Sequence, residues 1–240
     1  MHQEKQEQSG KSFHGLGIAP ALLDILARLR FTAPTPIQEQ AIPIAIQGKD
    51  MVGIAQTGTG KTLAFGVPMI QRIGALKKQG LVVLPTRELA VQVEEVIRKV
   101  GHGLGIRTAI LIGGAAFGPQ MSALMRRPHI IIATPGRLID HLERKNIRLD
   151  QIGVVVLDEA DRMLDMGFWP QIQRIFVALP KERQVMLFSA TMPSEIMKIA
   201  SAQMQLPVQV EIAVAGTTVE RVTQERFILP HDRKLALLAK

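Results

Sequence analysis

Cysteine and tyrosine are absent from this 240-residue chain, and only 4% of its residues are aromatic. Without cysteine the chain forms neither disulfides nor thiolate metal sites, and this weakly favours a reducing compartment. The few aromatic residues leave little surface on which nucleic-acid bases could stack. No apolar run approaches the roughly 18 residues of a membrane span, and the polar start MHQEKQEQSG lacks the apolar segment of a signal peptide. We therefore expect a cytoplasmic protein without a membrane partner.

Hydrophobic residues make up 47% of the chain and charged residues 21%, which is typical of a folded protein with a sizeable core. The length favours one large domain, or one domain and part of a second. The net charge of +8 suits a polyanionic partner such as nucleic acid, but it also suits plain solubility. Because aromatic residues are scarce, any contact with nucleic acid would rely mainly on its backbone.

Short aliphatic runs recur along the chain. Each is continuous rather than alternating, which is typical of a strand buried on both faces. Amphipathic segments such as 87–100 and 192–204 separate them. This alternation predicts an α/β fold, a parallel sheet with helices on both faces that binds its ligands at the carboxyl ends of the strands. The runs are MVGIA (51–55), LVVL (81–84), AILI (109–112), IIIA (130–133), VVVL (154–157) and VMLF (185–188).

Two boundaries divide the chain. Residues 1–12 are predicted to form a flexible tail, and a change to small and β-branched residues at 213–220 marks the second boundary. Beyond it, RVTQERFIL resembles a strand and an amphipathic helix begins at Asp232. Because the chain ends within that helix, we expect residues 213–240 to be a linker and the truncated start of a further domain.

The segment AQTGTGKT at 55–62 fits the phosphate-binding loop pattern, except that Ala55 replaces the usual first glycine. Gly58 and Gly60 let the backbone turn so that successive N–H groups point at phosphate. Lys61 adds a positive charge for the β and γ phosphates, and the hydroxyl of Thr62 can ligate Mg²⁺. The alternative is a glycine-rich turn that caps a helix, which the strand before it makes the weaker interpretation.

Three carboxylates, Asp158, Glu159 and Asp161, follow the apolar run VVVL. By themselves, acids at this position more often favour a helix dipole. A phosphate-binding loop, however, needs a carboxylate after a buried strand to hold Mg²⁺ through water, and Asp158 fits that requirement. Glu159 can then orient and deprotonate the attacking water. Together with the loop, the catalytic interpretation is favoured.

These two segments, with five others, resemble the motifs of the DEAD-box ATP-dependent RNA helicases. The resemblance covers residues 13–212 as a first RecA-like domain, a P-loop domain with a parallel sheet. Phe13 matches the isolated aromatic residue upstream of the family's Q motif. The motifs are RFTAPTPIQ (30–38), AQTGTGKT (55–62), PTRELA (85–90), GG (113–114), TPGR (134–137), DEAD (158–161) and SAT (189–191).

The resemblance implies an ATP and Mg²⁺ site. Gln38 would contact the adenine edge through its amide, and Phe31 would pack beside the base. Thr62 and Asp158 would hold Mg²⁺, Asp158 through water, while Glu159, Asp158 and Lys61 would be the catalytic residues. The residues of the phosphate-binding loop expected to hold the nucleotide are Ala55, Gln56, Thr57, Gly58, Thr59, Gly60, Lys61 and Thr62.

The resemblance also implies an RNA site. Ser189 and Thr191 would bond toward Asp161 and couple hydrolysis to RNA binding, although a helix cap is the local alternative. Contacts to phosphates and sugars carry little sequence information, and the 2′-hydroxyl would distinguish RNA from DNA. Arg87 next to Glu88 could also be a simple surface ion pair. The expected RNA-contacting residues are Pro85, Thr86, Arg87, Gly113, Gly114, Thr134, Pro135, Gly136 and Arg137.

The sequence thus predicts the ATP-binding half of an RNA helicase, a monomer with little or no activity without its second RecA-like domain. The motifs of that second domain are absent from the chain. A non-catalytic RNA-binding scaffold of the same fold and a DNA helicase of related fold are the alternatives. Lys77–Lys78, Arg126–Arg127 and His129 are interpreted as solvated or incidental residues.

Overall fold

A computed structural model describes residues 12–212, and its strands form one sheet. All strands are parallel, in the order β3-β4-β2-β5-β6-β1-β7. The sheet confirms the predicted α/β class with a parallel sheet. The strands are β1 (Met51–Ile54), β2 (Gln79–Val83), β3 (Thr108–Leu111), β4 (Ile130–Ala133), β5 (Ile152–Leu157), β6 (Gln184–Ser189) and β7 (Val208–Glu211).

Helices connect consecutive strands and cover both faces of the sheet. Within residues 12–212, no helix is long and apolar enough to cross a membrane. The helices are α1 (Pro20–Arg28), α2 (Pro36–Ile46), α3 (Lys61–Leu76), α4 (Arg87–Gly101), α5 (Phe117–Met125), α6 (Pro135–Glu143), α7 (Ala160–Asp165), α8 (Trp169–Ala178) and α9 (Ser194–Gln203), with a 3₁₀ helix at His102–Leu104.

Side chains of one strand alternate between two hydrophobic cores. In β5, Val154 and Val156 pack in the first core, while Val155 and Leu157 pack in the second. Helices α1 to α4 bury apolar side chains in the first core, and α6 to α9 do so in the second. Burial on both faces explains why the central strands are continuous apolar runs.

The six predicted strands and the two predicted helices are confirmed, with ends that differ by a few residues. Strand β7 was not predicted. It pairs with β1 alone at the edge of the sheet, and only Val210 is buried along it. Its apolar residues therefore alternate with Gln209 and Glu211 and form no continuous run. The predicted tail up to residue 11, the strand RVTQERFIL and the helix from Asp232 lie outside the described residues.

Asp50 joins three segments at the edge where the strands begin. Its Oδ1 accepts a hydrogen bond of 2.7 Å from the backbone N–H of Val185, and its Oδ2 accepts one of 2.6 Å from Gln205. Gln184 beside it donates from Nε2 to the carbonyls of Ala45 and Lys49. These bonds fix the starts of β1 and β6 relative to each other and to the loop before β7.

We predict that Asp50→Ala lowers the free energy of unfolding by about 2–4 kcal/mol, because it leaves the N–H groups of Val185 and Gln205 without acceptors. Asp50→Asn keeps one acceptor oxygen and is the matched control, with a clearly smaller loss expected. Urea denaturation followed by circular dichroism measures both variants. Equal stability of Asp50→Ala and the unmodified protein would show that water accepts the hydrogen bonds of Val185 and Gln205 in place of Asp50.

Candidate active site and nucleic-acid interface

Most of the candidate functional segments leave the same edge of the sheet. Because every strand is parallel, the loops after β1, β2, β4, β5 and β6 meet at the edge formed by the carboxyl ends. These loops carry the phosphate-binding loop, PTRELA, TPGR, DEAD and SAT. Two clefts open there, one beside the phosphate-binding loop and one beside PTRELA.

The phosphate-binding loop turns as its glycines predict. Gly58 and Gly60 have φ of 85° and 93°, values that favour glycine, and α3 begins directly afterwards at Lys61. The hydroxyl of Thr59 donates 2.7 Å to the carbonyl of Gln56 and closes the loop. Ala55 is buried, and its N–H bonds the carbonyl of Ser189 in β6. Gln56, Thr59 and Ala55 therefore shape the loop rather than line the cleft.

The cleft beside this loop, called the nucleotide cleft after the residues predicted to hold a nucleotide, has a volume of about 520 Å³, close to the volume of about 490 Å³ of the neighbouring PTRELA cleft. It combines the predicted nucleotide residues with apolar side chains of α4. This composition suits a ligand with an apolar ring and an anionic end. Its lining includes Phe31, Thr35, Gln38, Thr57, Gly58, Gly60, Lys61, Thr62, Asp158 and Glu159, with Leu89, Gln92, Val93 and Val96 from α4.

Lys61 and Asp158 face each other at the bottom of the cleft. The ammonium Nζ lies 3.6 Å from Asp158 Oδ1, and both side chains are buried, with 6% and 7% of their surface exposed. Among the described residues, neither Lys61 Nζ nor the hydroxyl of Thr35 in the same cleft has a hydrogen-bond partner. Buried polar groups without partners are costly, so the cleft is built to receive a polar ligand.

Burial raises the pKa of Asp158 to about 6, with the attraction of Lys61 opposing the rise and the repulsion of Glu159 adding to it. Its Oδ1 accepts one hydrogen bond, of 3.0 Å, from the N–H of Glu159. The carboxylate is thus short of positive charge and of donors. A cation that reached it would stabilise its ionised form.

Glu159 is held in an unusual backbone conformation. Its φ is 53° and its ψ 50°, in the left-handed region that is costly for a side chain other than glycine. Its Oε1 accepts 3.2 Å from the hydroxyl of Thr57, and its Oε2 accepts 3.2 Å from Nη1 of Arg162. The carboxylate is therefore oriented from the phosphate-binding loop on one side and from α7 on the other.

The SAT segment bonds Asp161, as the resemblance implied. Asp161 Oδ2 accepts from the hydroxyl of Thr191 at 2.9 Å and from the N–H groups of Thr191 and Ala190. In return, the N–H of Asp161 donates to the Ser189 hydroxyl at 3.2 Å. Although burial acts to raise it, these hydrogen bonds hold the pKa of Asp161 below its usual range. Neither Ser189 nor Thr191 caps α9, because the N-cap residue of that helix is Pro193.

Gln38 connects the Q motif to the phosphate-binding loop. It is buried, its Oε1 accepts 3.0 Å from the N–H of Thr35, and its Nε2 donates 2.9 Å to the carbonyl of Gly60. Each end of the amide keeps one further hydrogen-bonding position. Phe31 lies at the rim of the same cleft, 38% exposed. Both residues thus line the same cleft.

The second cleft, of about 490 Å³, gathers most of the predicted RNA residues. They come from three separate loops, which the sequence could relate only through the resemblance. Two of the predicted RNA-contacting residues, Gly114 and Pro135, do not line this cleft. Four residues that were not predicted do line it: Glu88, Asp140, Met166 and Phe168. The residues of the cleft are Pro85, Thr86, Arg87, Glu88, Gly113, Thr134, Gly136, Arg137, Asp140, Met166 and Phe168.

Arg137 and Arg87 hold the GG segment from two sides. Arg137 is buried, donates 2.8 Å to the carbonyl of Ala115 and lies over the Phe117 ring at 4.3 Å from its centroid. Arg87 packs so closely against Gly114 that a side chain at Gly114 would collide with its guanidinium. Gly114 also has φ of 72°, a backbone conformation that favours glycine. Arg137 therefore acts first as a positioning residue for the cleft.

Sequence reasoning missed several side chains of this edge. Arg162, which bonds Glu159, had a usable signal, because it lies three residues after Glu159 at the start of a helix. Leu89, Val93 and Val96 continue the PTRELA helix into the nucleotide cleft at helical spacing. Met166 had no local signal, since it lies beyond the end of α7.

The family model for DEAD/DEAH box helicases matches residues 35–199. The chain is 44% identical over 236 residues to the ATP-dependent rRNA helicase RRP3 of Pyricularia oryzae, covering 96% of this chain and 44% of that protein. It is 43% identical over 225 residues to the DEAD-box ATP-dependent RNA helicase CshA of Geobacillus kaustophilus, covering 93% and 48%.

Solved structures agree. A DEAD box protein from the hyperthermophile Methanococcus jannaschii has a TM-score of 0.78 and 35% identity, covering 83% of this chain and 55% of that one. A hypothetical ATP-dependent RNA helicase from Sulfolobus tokodaii has a TM-score of 0.75 and 35% identity, covering 80% and 56%. The chain thus spans about half the length of the relatives it matches. With these matches, the chain belongs to the DEAD/DEAH box helicase family.

Proposed function

We propose that this chain is the ATP-binding half of an ATP-dependent RNA helicase, which couples ATP hydrolysis to the separation or remodelling of RNA strands. The observation that carries the proposal is the buried pair of Lys61 and Asp158 beside the phosphate-binding loop. A protein that only bound RNA would gain nothing from a buried ammonium without an acceptor. Its CshA and RRP3 relatives, named as ATP-dependent helicases, support the proposal.

The residues of the cleft suit MgATP. The unpartnered ammonium of Lys61 would receive acceptors from phosphate oxygens, and the start of α3 directs its positive end at the same place. Thr62 and Asp158 offer the oxygen ligands that Mg²⁺ prefers, and a cation would relieve the raised pKa of Asp158. When bound, Mg²⁺ would neutralise phosphate charge. Gln38 and Phe31 are proposed to contact the adenine.

Glu159 is the proposed general base. Its carboxylate is buried beside Asp158 and oriented by Thr57 and Arg162. A base held in this way can take a proton from a water molecule that attacks the γ phosphate. Asp158 would share the work by holding Mg²⁺, and Lys61 would stabilise the charge on the phosphates. The strained backbone of Glu159 supports a functional role, since such strain concentrates at active sites.

RNA is the proposed substrate of the second cleft, held by its phosphates and sugars without reading its sequence. Contacts of Asp161 with Ser189 and Thr191 would couple this cleft to hydrolysis. We propose residues 13–212 as the first RecA-like domain and 213–240 as the linker and start of a second domain, which would close over both clefts. Absence of cysteine supports the cytoplasm as the compartment, and we propose that the isolated domain is a monomer.

The full-length protein is expected to hydrolyse ATP faster in the presence of RNA. Glu159→Gln keeps the size of the side chain but removes the base, so we expect single-turnover cleavage to fall by about 10²–10⁴-fold. ATP affinity should change little, and the variant should stay on RNA with ATP uncleaved. Rapid quenching measures cleavage, and filter binding at fixed salt measures RNA retention.

Arg174→Gln, which breaks an exposed ion pair with Glu143 and changes no residue that lines either cleft, is a control for loss of a surface charge. It should cleave ATP at the normal rate. RNA binding without any ATP hydrolysis in the unmodified full-length protein would favour the non-catalytic scaffold. Stimulation by DNA as strong as by RNA would favour a DNA helicase.

Gln38→Glu is predicted to weaken ATP binding by about 10–100-fold, equivalent to ~1–3 kcal/mol, because a carboxylate cannot donate to Gly60 or to adenine. It still accepts from the N–H of Thr35, so the start of α2 should remain folded. Calorimetry with ATP and GTP separates the two contacts. A loss confined to ATP indicates contact with adenine, whereas equal losses indicate only the bond to Gly60.

The pKa of Asp158 predicts how Mg²⁺ responds to pH. Because the folded pKa of about 6 is raised above the ordinary value of 3.8, the ionised carboxylate costs stability in full above pH 6, and that cost shrinks as the pH falls from 6 towards 3.8. Protons then compete with Mg²⁺, so the gain in ADP affinity on adding Mg²⁺ should shrink by about tenfold between pH 7.5 and pH 5. Asp158→Asn, measured by calorimetry in the same way, should lack the part of the pH dependence that comes from Asp158. An identical pH response in both proteins would contradict the assignment of Asp158 as a Mg²⁺ ligand.

A further inference from the structure

A basic pocket lies at the edge of the sheet opposite the two clefts. We call it the rear basic pocket and define it by Lys77, Lys78, Arg107, Arg127 and His129. Its volume is about 830 Å³, larger than that of the nucleotide cleft at about 520 Å³. These residues flank the starts of three neighbouring strands, β3, β4 and β2. The fold thus gathers cations that are distant in the sequence.

The side chain of Arg107 is fixed by the loop after α5. Its Nε donates 3.1 Å to the carbonyl of Arg126, and its Nη2 donates 3.0 Å to the carbonyl of Arg127. The N–H of Arg107 donates 3.0 Å to Nδ1 of His129. Because Nδ1 accepts this bond, the neutral ring carries its proton on Nε2 and has a donor left for a ligand.

The backbone at two of the other cations is in a left-handed conformation. Lys77 follows the last residue of α3 with φ of 53°, and Arg127 follows α5 with φ of 52°. The stem of Lys78 lies across Gly153 of β5, where an added Cβ would be 2.9 Å from Lys78 Cβ. Gln79 donates 2.6 Å to the carbonyl of Pro128 and ties the loop before β4 to the start of β2. The backbone around the pocket is therefore well defined, and the exposed side chains of Lys77 and Arg127 extend from it beside the hydrogen-bonded guanidinium of Arg107.

The rear basic pocket has no compensating charge. None of the described residues that line it is acidic, and none of its four Lys and Arg side chains makes an ion pair within residues 12–212. The nearby Asp150 is paired with Arg148 at 3.4 Å. Burial, and then the charge of Arg107, lower the pKa of His129. The pocket therefore offers donors and positive charge to an anion.

We propose that the rear basic pocket binds the phosphodiester backbone of RNA, as a second contact for a strand that also occupies the PTRELA cleft. The proposal rests on the proposed function, because RNA is the polyanion with which that function works. Clustered cations and N–H donors match repeated phosphates. The centre of a protein interface is instead enriched in aromatic residues. Of the residues lining the pocket, none is aromatic apart from the ring of His129.

The test is binding of a long polyuridine strand to the chain without nucleotide, over a series of salt concentrations. Lys77→Gln/Arg127→Gln should weaken binding by about fivefold to tenfold and reduce the slope of log K against log salt by about 1.4, the value for two lost single-strand phosphate contacts. Arg28→Gln/Lys198→Gln removes the same charge from exposed positions outside both the pocket and the clefts, and should leave the slope unchanged.

ADP affinity in the presence of Mg²⁺ should be the same in all these variants, which shows that they are folded. An unchanged slope in Lys77→Gln/Arg127→Gln would overturn the proposal, while loss of binding in Arg87→Ala would still support RNA in the PTRELA cleft. Absence of polyuridine binding by the unmodified chain would overturn both the proposed RNA site in the rear basic pocket and the one in the PTRELA cleft. Binding of a polyglutamate peptide that the double variant loses, with polyuridine binding intact, would assign the pocket to an acidic protein partner and also overturn it.

Discussion

The parallel arrangement of the sheet is the constraint on which the rest of the structure depends. Strands that run in one direction send all their following loops to one edge and all their preceding loops to the other. The first edge carries the phosphate-binding loop and the DEAD carboxylates, and the second carries Asp50 and the rear basic pocket. Each edge thus collects residues that are far apart in the sequence, whereas the middle of each central strand is apolar and packs in the two cores.

Burial of Lys61 and Asp158 costs free energy that the protein alone does not recover. Their charges lie 3.6 Å apart, too far for a good hydrogen bond, and the pKa of Asp158 rises to about 6. Glu159 adds a backbone in the left-handed region next to them. The site is therefore least favourable without a ligand, as expected where charge is preorganised for an anion and a cation.

Two elements connect the clefts. Helix α4 begins with Arg87 in the PTRELA cleft, and its later turns place Val93 and Val96 in the nucleotide cleft. The segment after β5 does the same, with Asp158 in one cleft and Met166 in the other. One helix and one short segment thus each contribute residues to both clefts. Asp161, hydrogen-bonded to Thr191, lies in the second of them.

The sequence by itself determined the fold class, six of the strands and the phosphate-binding loop, because continuous burial and glycine turns leave local patterns. It missed β7, whose exposed face at the sheet edge breaks that pattern. Only the tertiary structure decided the bonds of Gln38 with Gly60, the buried position of Arg137 and the grouping of Arg107, Arg127 and Lys77. These contacts depend on which strands are neighbours in the sheet. Strand order is set by packing between segments that are distant in the sequence, so no single stretch of sequence predicts it.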